Sequence, residues 1–207
     1  MKDIYQQLHI VDGNRHTALS REEGEFLYRF VRDRKFIKTL EIGLAYGVST
    51  AYIMTATNSI HYAIDPFQNS EKYDRAGLKN IEKLGLKKNL KYIEDFSCLA
   101  LPSLCNKNFK FEFVFVDGSH KFDDQFVDFY FIDLLLAVEG VVIFHDVWTP
   151  QVRTLLSWIE TNKKCYHKVD IENESFVIIE KIKNDDRKWF DFKRFAVTVD
   201  GNVSRYM

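Results

Sequence analysis

The 207-residue sequence predicts an α/β protein with a doubly wound, mostly parallel sheet, helices on both faces and an antiparallel edge at its C-terminal end. Short apolar segments alternate with amphipathic ones along residues 20–162. Residues 111–117 and 140–145 are apolar on both faces, which is typical of central parallel strands. Two strand-like segments follow the last helix, and only Glu172-Asn173-Glu174 separates them, which favours a hairpin.

In the first half of the chain, three helices and three strands are predicted. Residues 20–36 have apolar side chains at helical spacing behind Ser20-Arg21-Glu22-Glu23, a capping box. Strands are expected at residues 38–43, 60–65 and 90–93. Helices are expected at residues 48–57 and 69–84, the second ending at Gly85, a natural C-cap. A short helix at residues 97–104 follows.

The second half of the chain begins with the apolar strand at residues 111–117. A helix at residues 122–138 is apolar nearly all round, which predicts deep burial. After the strand at residues 140–145, Thr149 is the expected N-cap and Pro150 the first residue of a helix that ends near residue 162. Residues 166–171 and 175–182 complete the sheet as the hairpin.

Composition and charge limit the class of protein. The chain has 29 Lys and Arg against 30 Asp and Glu, so a surface built to neutralise phosphates is excluded and no nucleic-acid partner is expected. No apolar run approaches the roughly 20 residues of a membrane span, and the first residues lack the apolar region of a signal peptide. Three cysteines without CxxC spacing indicate reduced structural thiols. We therefore expect a cytoplasmic protein with no membrane partner.

The chain is expected to form one domain over residues 1–207, because its length fits a single core with additions at both ends. The additions are an N-terminal helical segment, residues 1–37, and a C-terminal extension, residues 184–207. They are expected to shape the pocket of a small-molecule acceptor or a contact between subunits, so a homo-oligomer is plausible. Four polar and aromatic side chains are candidates for that pocket: Arg15, His16, Trp148 and Arg153.

Ligands of doubly wound sheets bind at the carboxyl ends of the strands. The first strand ends at Glu41-Ile42-Gly43 and is followed by Gly47-Val48-Ser49, where glycines allow close approach of a ligand to the backbone and a helix start offers N–H groups. The dinucleotide fingerprint GxGxxG lacks its middle glycine here, which favours a ligand without a pyrophosphate. A generic strand-to-helix turn is the alternative interpretation.

Two further strand ends suggest a nucleoside. Asp65 follows the second strand about 20 residues after Gly43, where an acidic side chain accepts both hydroxyls of a ribose. Turn formation by Asp65-Pro66 is the alternative. Phe96 and Ser97 follow the third strand and could stack on and hydrogen-bond an adenine, but Ser97 could equally cap the next helix.

Ionisable side chains follow the fourth and fifth strands. Asp117 and His120 come after the fourth strand, and His145 and Asp146 after the fifth. Two carboxylates and two imidazoles at one edge of a sheet suit a metal site or acid–base catalysis. A cap role could explain Asp117, and His145 could be a supporting histidine that contacts the others.

These motifs, in this order, resemble those of the class I S-adenosylmethionine-dependent methyltransferases, a Rossmann-like fold. Residues 40–50 resemble the first motif, E-x-G-x-x-x-G-x-S-T, and residues 63–67 the second. Residues 113–120 together with 140–146 resemble the subgroup of catechol, sugar and macrolide O-methyltransferases. The resemblance covers roughly residues 18–182.

The resemblance implies a seven-stranded sheet whose last strand is antiparallel, and an enzyme that transfers a methyl group to a hydroxyl. Its cofactor-binding residues would be Glu41, which supports the loop, and Gly43, Gly47, Ser49, Asp65, Phe96, Ser97 and Asp117. In the catechol-like branch a divalent cation, usually Mg²⁺, is held by the aspartates that match Asp117 and Asp146. A catalytic lysine there occupies the position of His120, so His120 is the candidate base, with Asp117 and Asp146 as its catalytic partners.

The sequence departs from the subgroup beside Asp146, where His145 and Val147 stand in place of a further oxygen ligand, so the third metal ligand is unassigned. Imidazole is also a poor match for Mg²⁺. Two alternatives remain: an NAD(P)-dependent oxidoreductase or epimerase, and a non-catalytic nucleotide-binding protein of the same fold. A nucleic-acid methyltransferase is disfavoured, because its usual Pro-Pro motif after the fourth strand is missing.

Overall fold

A computed structural model describes residues 3–11 and 13–197. Residues 1, 2, 12 and 198–207 and the side chain of His16, a candidate pocket residue, lie outside the described part, so the C-terminal extension is described only to residue 197. The chain divides into two compact units, one ending at Ala100 and the other beginning at Leu101. The assignment of residues 1–207 to one domain stays a prediction.

The first unit contains three parallel strands and the helices that connect them. Strand β2 pairs with β1 on one side and with β3 on the other, and Tyr62 lies opposite both Leu40 and Lys91. A last helix, α5 (Ser97–Asn106), runs across the boundary between the units. In chain order the preceding elements are α1 (Ile4–Gln7), α2 (Arg21–Arg32), β1 (Lys38–Ile42), α3 (Val48–Thr57), β2 (Ile60–Ile64), α4 (Ala76–Lys83) and β3 (Leu90–Ile93).

The described residues of the second unit form four strands and, after α5, two helices. Its elements are β4 (Phe111–Val116), α6 (Phe122–Leu135), β5 (Leu136–Phe144), α7 (Pro150–Asn162), β6 (Tyr166–Val169) and β7 (Val177–Lys181). Strands β4 and β5 are parallel, whereas β7 is antiparallel to both β5 and β6. Every residue of β4 except Glu112 is buried, as expected for a central strand.

The strand order is β3-β2-β1-β4-β5-β7-β6, a seven-stranded, mostly parallel sheet with an antiparallel C-terminal strand. This confirms the fold class predicted from the alternation of apolar and amphipathic segments. Among the described residues, no helix has both the length and the apolar character required to cross a bilayer.

Helix starts with clear cap chemistry are where the sequence predicts them. Ser20 and Glu23 form the capping box of α2, each side chain bonding the backbone N–H of the other. Thr149 caps α7 with Pro150 as its first residue. Gly85 has φ 75°, and its N–H and that of Leu86 return to the last turn of α4, which closes that helix as predicted.

The helix predicted at residues 69–84 begins only at Ala76, so the first half of that prediction is wrong. Asp74 and Arg75 have φ values of 42° and 58°. A left-handed backbone cannot continue a right-handed helix, so residues 69–75 form turns, in which the N–H groups of Ser70 and Tyr73 bond carbonyls three residues earlier.

The boundary between α6 and β5 also differs from the prediction. The helix ends at Leu135 rather than 138, and β5 begins at Leu136 rather than 140. Deep burial of α6 is wrong too, because Tyr130 is 59% and Leu134 is 48% exposed. The helix is apolar on both sides, but only one side packs on the core.

The second unit contains a buried charged cluster around Asp133 of α6. Lys163 and Tyr166 donate hydrogen bonds to the Asp133 carboxylate, and the ammonium of Lys181 lies 3.2 Å from Asp133 Oδ1. Lys181 also donates to the carbonyls of Asp133 and Leu136, at 2.6 and 3.3 Å. Burial raises the pKa of Asp133, but the bonds from Lys163 and Tyr166 outweigh it and hold that pKa below its ordinary value.

Candidate functional site

The β1–α3 loop, residues 43–47, leaves the carboxyl end of β1 and leads into α3. Gly43, Ala45 and Gly47 all have positive φ values, of 95°, 43° and 72°. Gly47 stands at the N-cap of α3, and a Cβ at this position would lie 3.1 Å from the carbonyl oxygen of Gly77. Gly47 is therefore required both by its left-handed backbone and by the close approach of α4, whereas Gly43 is favoured by its positive φ alone.

Asp65 follows β2 and holds the β1–α3 loop. Its Oδ2 accepts hydrogen bonds from the N–H groups of Leu44 and Ala45 at 3.0 and 2.8 Å, and its Oδ1 accepts one from Phe67 at 2.7 Å. The residue is only 5% exposed. A carboxylate has about four acceptor positions, so one remains for a ligand hydroxyl. The structure thus gives Asp65 a loop-holding role that the spacing did not predict.

Glu41 lies beneath the loop. It is fully buried, and its two carboxylate oxygens accept hydrogen bonds from the hydroxyls of Ser49 and Thr50, in the first turn of α3. His61 Nε2 lies 3.1 Å from Glu41 Oε2. Glu41 therefore supports the start of α3, and the hydroxyl of Ser49 is directed to Glu41.

The strand end after β3 presents an exposed aromatic pair. Phe96 and Phe67 are 54% and 51% exposed, and their rings meet edge to face with centroids 5.9 Å apart. The carbonyl of Phe96 accepts the first helical bonds of α5, from Leu99 and Ala100. Ser97 thus lies one position inside the helix, so the alternative in which it caps α5 is not what the structure shows.

The second unit brings four ionisable side chains together at the ends of β4 and β5. This acid–histidine cluster consists of Asp117, His120, His145 and Asp146. The N–H of His145 bonds the carbonyl of Val116 at 3.0 Å, which continues the β4–β5 pairing and aligns the two strand ends. Asp146 then turns the chain with φ 52°, a left-handed conformation that is uncommon outside glycine and is found often at functional sites.

Direct contacts connect all four members of the cluster. His120 Nε2 lies 2.7 Å from Asp146 Oδ2, and His145 Nδ1 lies 3.0 Å from Asp117 Oδ1 and 3.5 Å from Asp146 Oδ2. Trp148 Nε1 donates to Asp146 Oδ1 at 2.9 Å. His120 is half exposed, whereas the side chains of Asp117, His145 and Asp146 are 22%, 13% and 18% exposed. His120 is therefore the member that solvent or a substrate reaches most easily.

The cluster separates the pKa values of its members. Burial raises the pKa of Asp117, although the hydrogen bond from His145 offsets part of that effect. Burial also acts to raise the pKa of Asp146, but hydrogen bonds from His120 and His145 outweigh it and lower that pKa well below its ordinary value. The hydrogen bond to Asp146 in turn raises the pKa of His120. Such divergence is typical of acid–base sites.

The donor set can also be considered as a metal site. Asp117, His120 and Asp146 each offer one ligand atom, and these three atoms lie within 4.8 Å of one another. The sequence predicted Asp117 and Asp146 as metal ligands and left the third ligand unassigned, and His120 is the third member of the group in the structure. Two carboxylates and one imidazole suit a divalent transition ion better than Mg²⁺, which prefers oxygen ligands.

Residues 40–147 match the model of a protein family described as "Methyltransferase domain". The match begins in β1, ends one residue after Asp146 and covers just over half of the chain. The chain belongs to the methyltransferase domain family. A comparison of this methyltransferase domain protein with curated protein sequences finds no significant match.

Solved O-methyltransferases share the fold of this methyltransferase domain protein. TomG of Streptomyces achromogenes, involved in tomaymycin synthesis and crystallised with S-adenosylmethionine, has a TM-score of 0.71 and 16% identity, over 88% of this chain and 91% of TomG. An O-methyltransferase from Bacillus cereus with bound S-adenosylhomocysteine (SAH) has a TM-score of 0.68 and 19% identity, over 81% and 83% of the two chains. The SAH-bound Podospora anserina methyltransferase PaMTH1 has a TM-score of 0.68 and 18% identity, over 86% and 92%.

The resemblance to methyltransferases is therefore confirmed at the level of family and fold, while the roles of the individual residues stay predictions. Sequence reasoning missed three side chains. Gln68 is fully buried and donates to the carbonyl of Ala45 at 2.7 Å. Asn80 donates to the carbonyls of Tyr46 and His9, each at 2.9 Å. His61 contacts Glu41, as described above.

Two of the residues that the sequence predicted for the acceptor pocket, Trp148 and Arg153, form hydrogen bonds within the protein. Trp148 donates its indole N–H to Asp146 and so belongs beside the cluster. The guanidinium of Arg153 donates to the carbonyl of Val147 at 3.0 Å. Arg15 is exposed.

Proposed function

We propose that this protein is an S-adenosylmethionine-dependent O-methyltransferase that acts on a hydroxyl of a small molecule. The observation that carries the proposal is the acid–histidine cluster at the ends of β4 and β5, in a chain of the methyltransferase domain family. A protein that only binds a nucleotide has no need of a half-exposed histidine paired with a carboxylate. The S-adenosyl ligands of TomG, PaMTH1 and the Bacillus cereus enzyme support the choice of cofactor.

The first unit supplies the cofactor contacts in this proposal. The N–H groups at the start of α3 favour the carboxylate of the amino-acid end. The remaining acceptor position of Asp65 takes a ribose hydroxyl, and the exposed Phe67 and Phe96 rings border the adenine. Gly43 and Gly47 let the ligand approach the backbone. Glu41 and Ser49 act from below, by supporting the first turn of α3.

The second unit supplies the acid–base chemistry. When bound, S-adenosylmethionine supplies a methyl group already activated on a sulfonium. His120 takes the proton of the acceptor hydroxyl, and Asp146 orients its imidazole through the 2.7 Å contact and stabilises the imidazolium that forms. Asp117 binds the hydroxyl through Oδ2, for which no hydrogen bond is found among the described residues. Alignment of the acceptor contributes roughly 7–11 kcal/mol, and a positioned base about 10²–10⁴-fold.

A groove beside the cluster fits a small acceptor. It has a volume of about 290 Å³ and lies between Val147 and the loop that joins β6 and β7. Phe176 forms part of its wall, and its ring lies 5.3 Å from that of His145. Asp170 and Glu174 at the rim offer acceptors for further hydroxyls. This volume is at the lower end of ligand pockets, which favours a sugar- or phenol-sized acceptor.

Divalent-cation assistance is the second part of the proposal. Asp117 and Asp146 would hold the ion, with His120 as a third ligand in place of its role as base. The ion would acidify the acceptor hydroxyl. Because of the imidazole, we expect Mn²⁺ or a similar transition ion to serve better than Mg²⁺.

Ligand binding and methyl transfer test the proposal in sequence. Thermal shift and calorimetry with S-adenosylmethionine, SAH and NAD, each with EDTA, Mg²⁺ or Mn²⁺, should show binding of the first two only. Transfer of labelled methyl to a panel of sugars and phenols then identifies the acceptor. His120→Ala should abolish transfer while cofactor affinity is retained, whereas His167→Ala, on exposed β6, should change neither. Binding of NAD alone would instead support an oxidoreductase or epimerase.

A further inference from the structure

Three polar side chains occupy the interior where β1 and β2 pair. Thr39 and Glu41 are two residues apart on β1 and so point to the same face, and the parallel register places Thr39 opposite His61 of β2. All three have no exposed surface. Buried polar groups are almost always hydrogen-bonded, and these three side chains bond to one another in a buried network.

The hydrogen bonds of this network run in one direction. As a carboxylate, Glu41 only accepts, so His61 must donate to it through Nε2, at 3.1 Å. A neutral imidazole then has Nδ1 as acceptor, and the hydroxyl of Thr39, at 2.8 Å, must donate to it. Ser59 lies 3.0 Å from Thr39 and completes the series. Thr39 thus donates to His61, His61 donates to Glu41, and Glu41 is the last acceptor.

We propose that His61 is a positioning residue for cofactor binding, which acts through Glu41 on the first turn of α3. Glu41 receives the hydroxyls of Ser49 and Thr50, one on each oxygen. These are the second and third residues of α3, directly after Gly47 at its N-cap. By fixing the carboxylate, His61 fixes the orientation of the N–H groups that begin this helix.

The proposal rests on the proposed S-adenosyl cofactor, and it predicts that His61 affects only ligands that carry the amino-acid end of this cofactor. The N–H groups of a helix start attract an anion, and the carboxylate of the amino-acid end is the only anionic group of SAH. His61 should therefore matter for a ligand with this end. It should not matter for 5′-methylthioadenosine, which has the same nucleoside and sulphur but no amino-acid end.

Calorimetry with these two probes tests the inference. His61→Leu removes the donor to Glu41 and should weaken SAH binding about tenfold, which corresponds to about 1.4 kcal/mol, while the dissociation constant of methylthioadenosine stays within about twofold. His61→Gln retains a side-chain N–H and should recover most of the affinity. His167→Leu, at an exposed position of β6, is the matched control and should leave both constants unchanged.

A milder variant covers the case in which His61→Leu does not fold. Thr39→Val preserves shape but leaves Nδ1 of His61 without its donor, which removes one of the two hydrogen bonds that hold the imidazole in place. It should weaken SAH binding by a smaller factor in the same selective way, and Thr39→Ser should restore it. Circular dichroism and the melting temperature of each variant establish that the folded protein is measured.

The outcomes separate the two proposals. Unchanged SAH affinity in folded His61→Leu or Thr39→Val would overturn the positioning role, as would an equal loss for both probes, because a general structural defect has no preference for the amino-acid end. If the wild-type protein binds neither S-adenosyl probe, the proposed function itself fails.

Discussion

Replacing Asp65 with asparagine should loosen the β1–α3 loop. The carboxylate accepts three backbone hydrogen bonds of 2.7–3.0 Å in a site that is 5% exposed. An amide has one acceptor oxygen, so in either orientation its NH₂ group faces at least one of these N–H donors. An unsatisfied buried donor costs about 1–3 kcal/mol, and the other bonds lose the strength that a charged acceptor provides.

We therefore expect Asp65→Asn to lower the free energy of unfolding by about 3 kcal/mol, or the melting temperature by about 6–12 °C for a chain of this size. Urea denaturation followed by circular dichroism measures the change. Asp74→Asn is the matched control, because Asp74 pairs with Lys79 at an exposed position and should change stability by less than about 0.5 kcal/mol. A loss below about 0.5 kcal/mol for Asp65→Asn as well would refute the loop-holding role. SAH affinity should fall with stability, since the same carboxylate is proposed to bind the ribose.

Three other perturbations have expected outcomes. His120 must lose its proton to act as a base, and the hydrogen bond to Asp146 raises the pKa of His120. Asp146→Asn should therefore move the acidic limb of the kcat/KM profile to lower pH. An unmoved limb would exclude the pairing of His120 with Asp146. Lys181→Met removes a buried donor to two carbonyls and should lower the free energy of unfolding, measured by urea denaturation, by about 3–5 kcal/mol. Lys183→Met, at the surface, should lower it by less than about 1 kcal/mol. Equal losses would contradict the buried role of Lys181. A Cβ on Gly24 would lie 2.2 Å from the Tyr52 ring, so Gly24→Ala should lower the melting temperature by several degrees despite its better helix propensity.

The sheet and most helix starts could be predicted because their signals are local. The capping box at Ser20 and the Thr149-Pro150 start of α7 determine helix starts through contacts within four residues. The failure at residues 69–75 has the opposite cause. Asp74 and Arg75 adopt a left-handed backbone where the chain packs against Gln68, and the propensities of neighbouring residues contain no sign of it.

Where an ionisable side chain follows a strand directly, its position could be predicted from the sequence, while its role stays a prediction. Asp117 and Asp146 come together because both follow apolar parallel strands that pair with each other. His61 was missed although the sequence contains a signal for it. Thr39 and Glu41 are two residues apart on β1 and share a face, and a histidine stands among the apolar residues of β2. Asn80 has no such signal, because its partners His9 and Tyr46 are distant in sequence and only the tertiary structure brings them together.

The contacts of Asn80 have a consequence for how the protein could be monitored. Its amide is bonded at the same time to the main chain of His9 and to that of Tyr46, inside the β1–α3 loop, and the Asn14 amide donates to the phenol oxygen of the same tyrosine. Any ligand that rigidifies this loop should therefore slow amide hydrogen exchange near the N-terminus, far along the chain from every proposed contact. Residues 7–11, 13 and 14 would then report whether the ligand site is occupied.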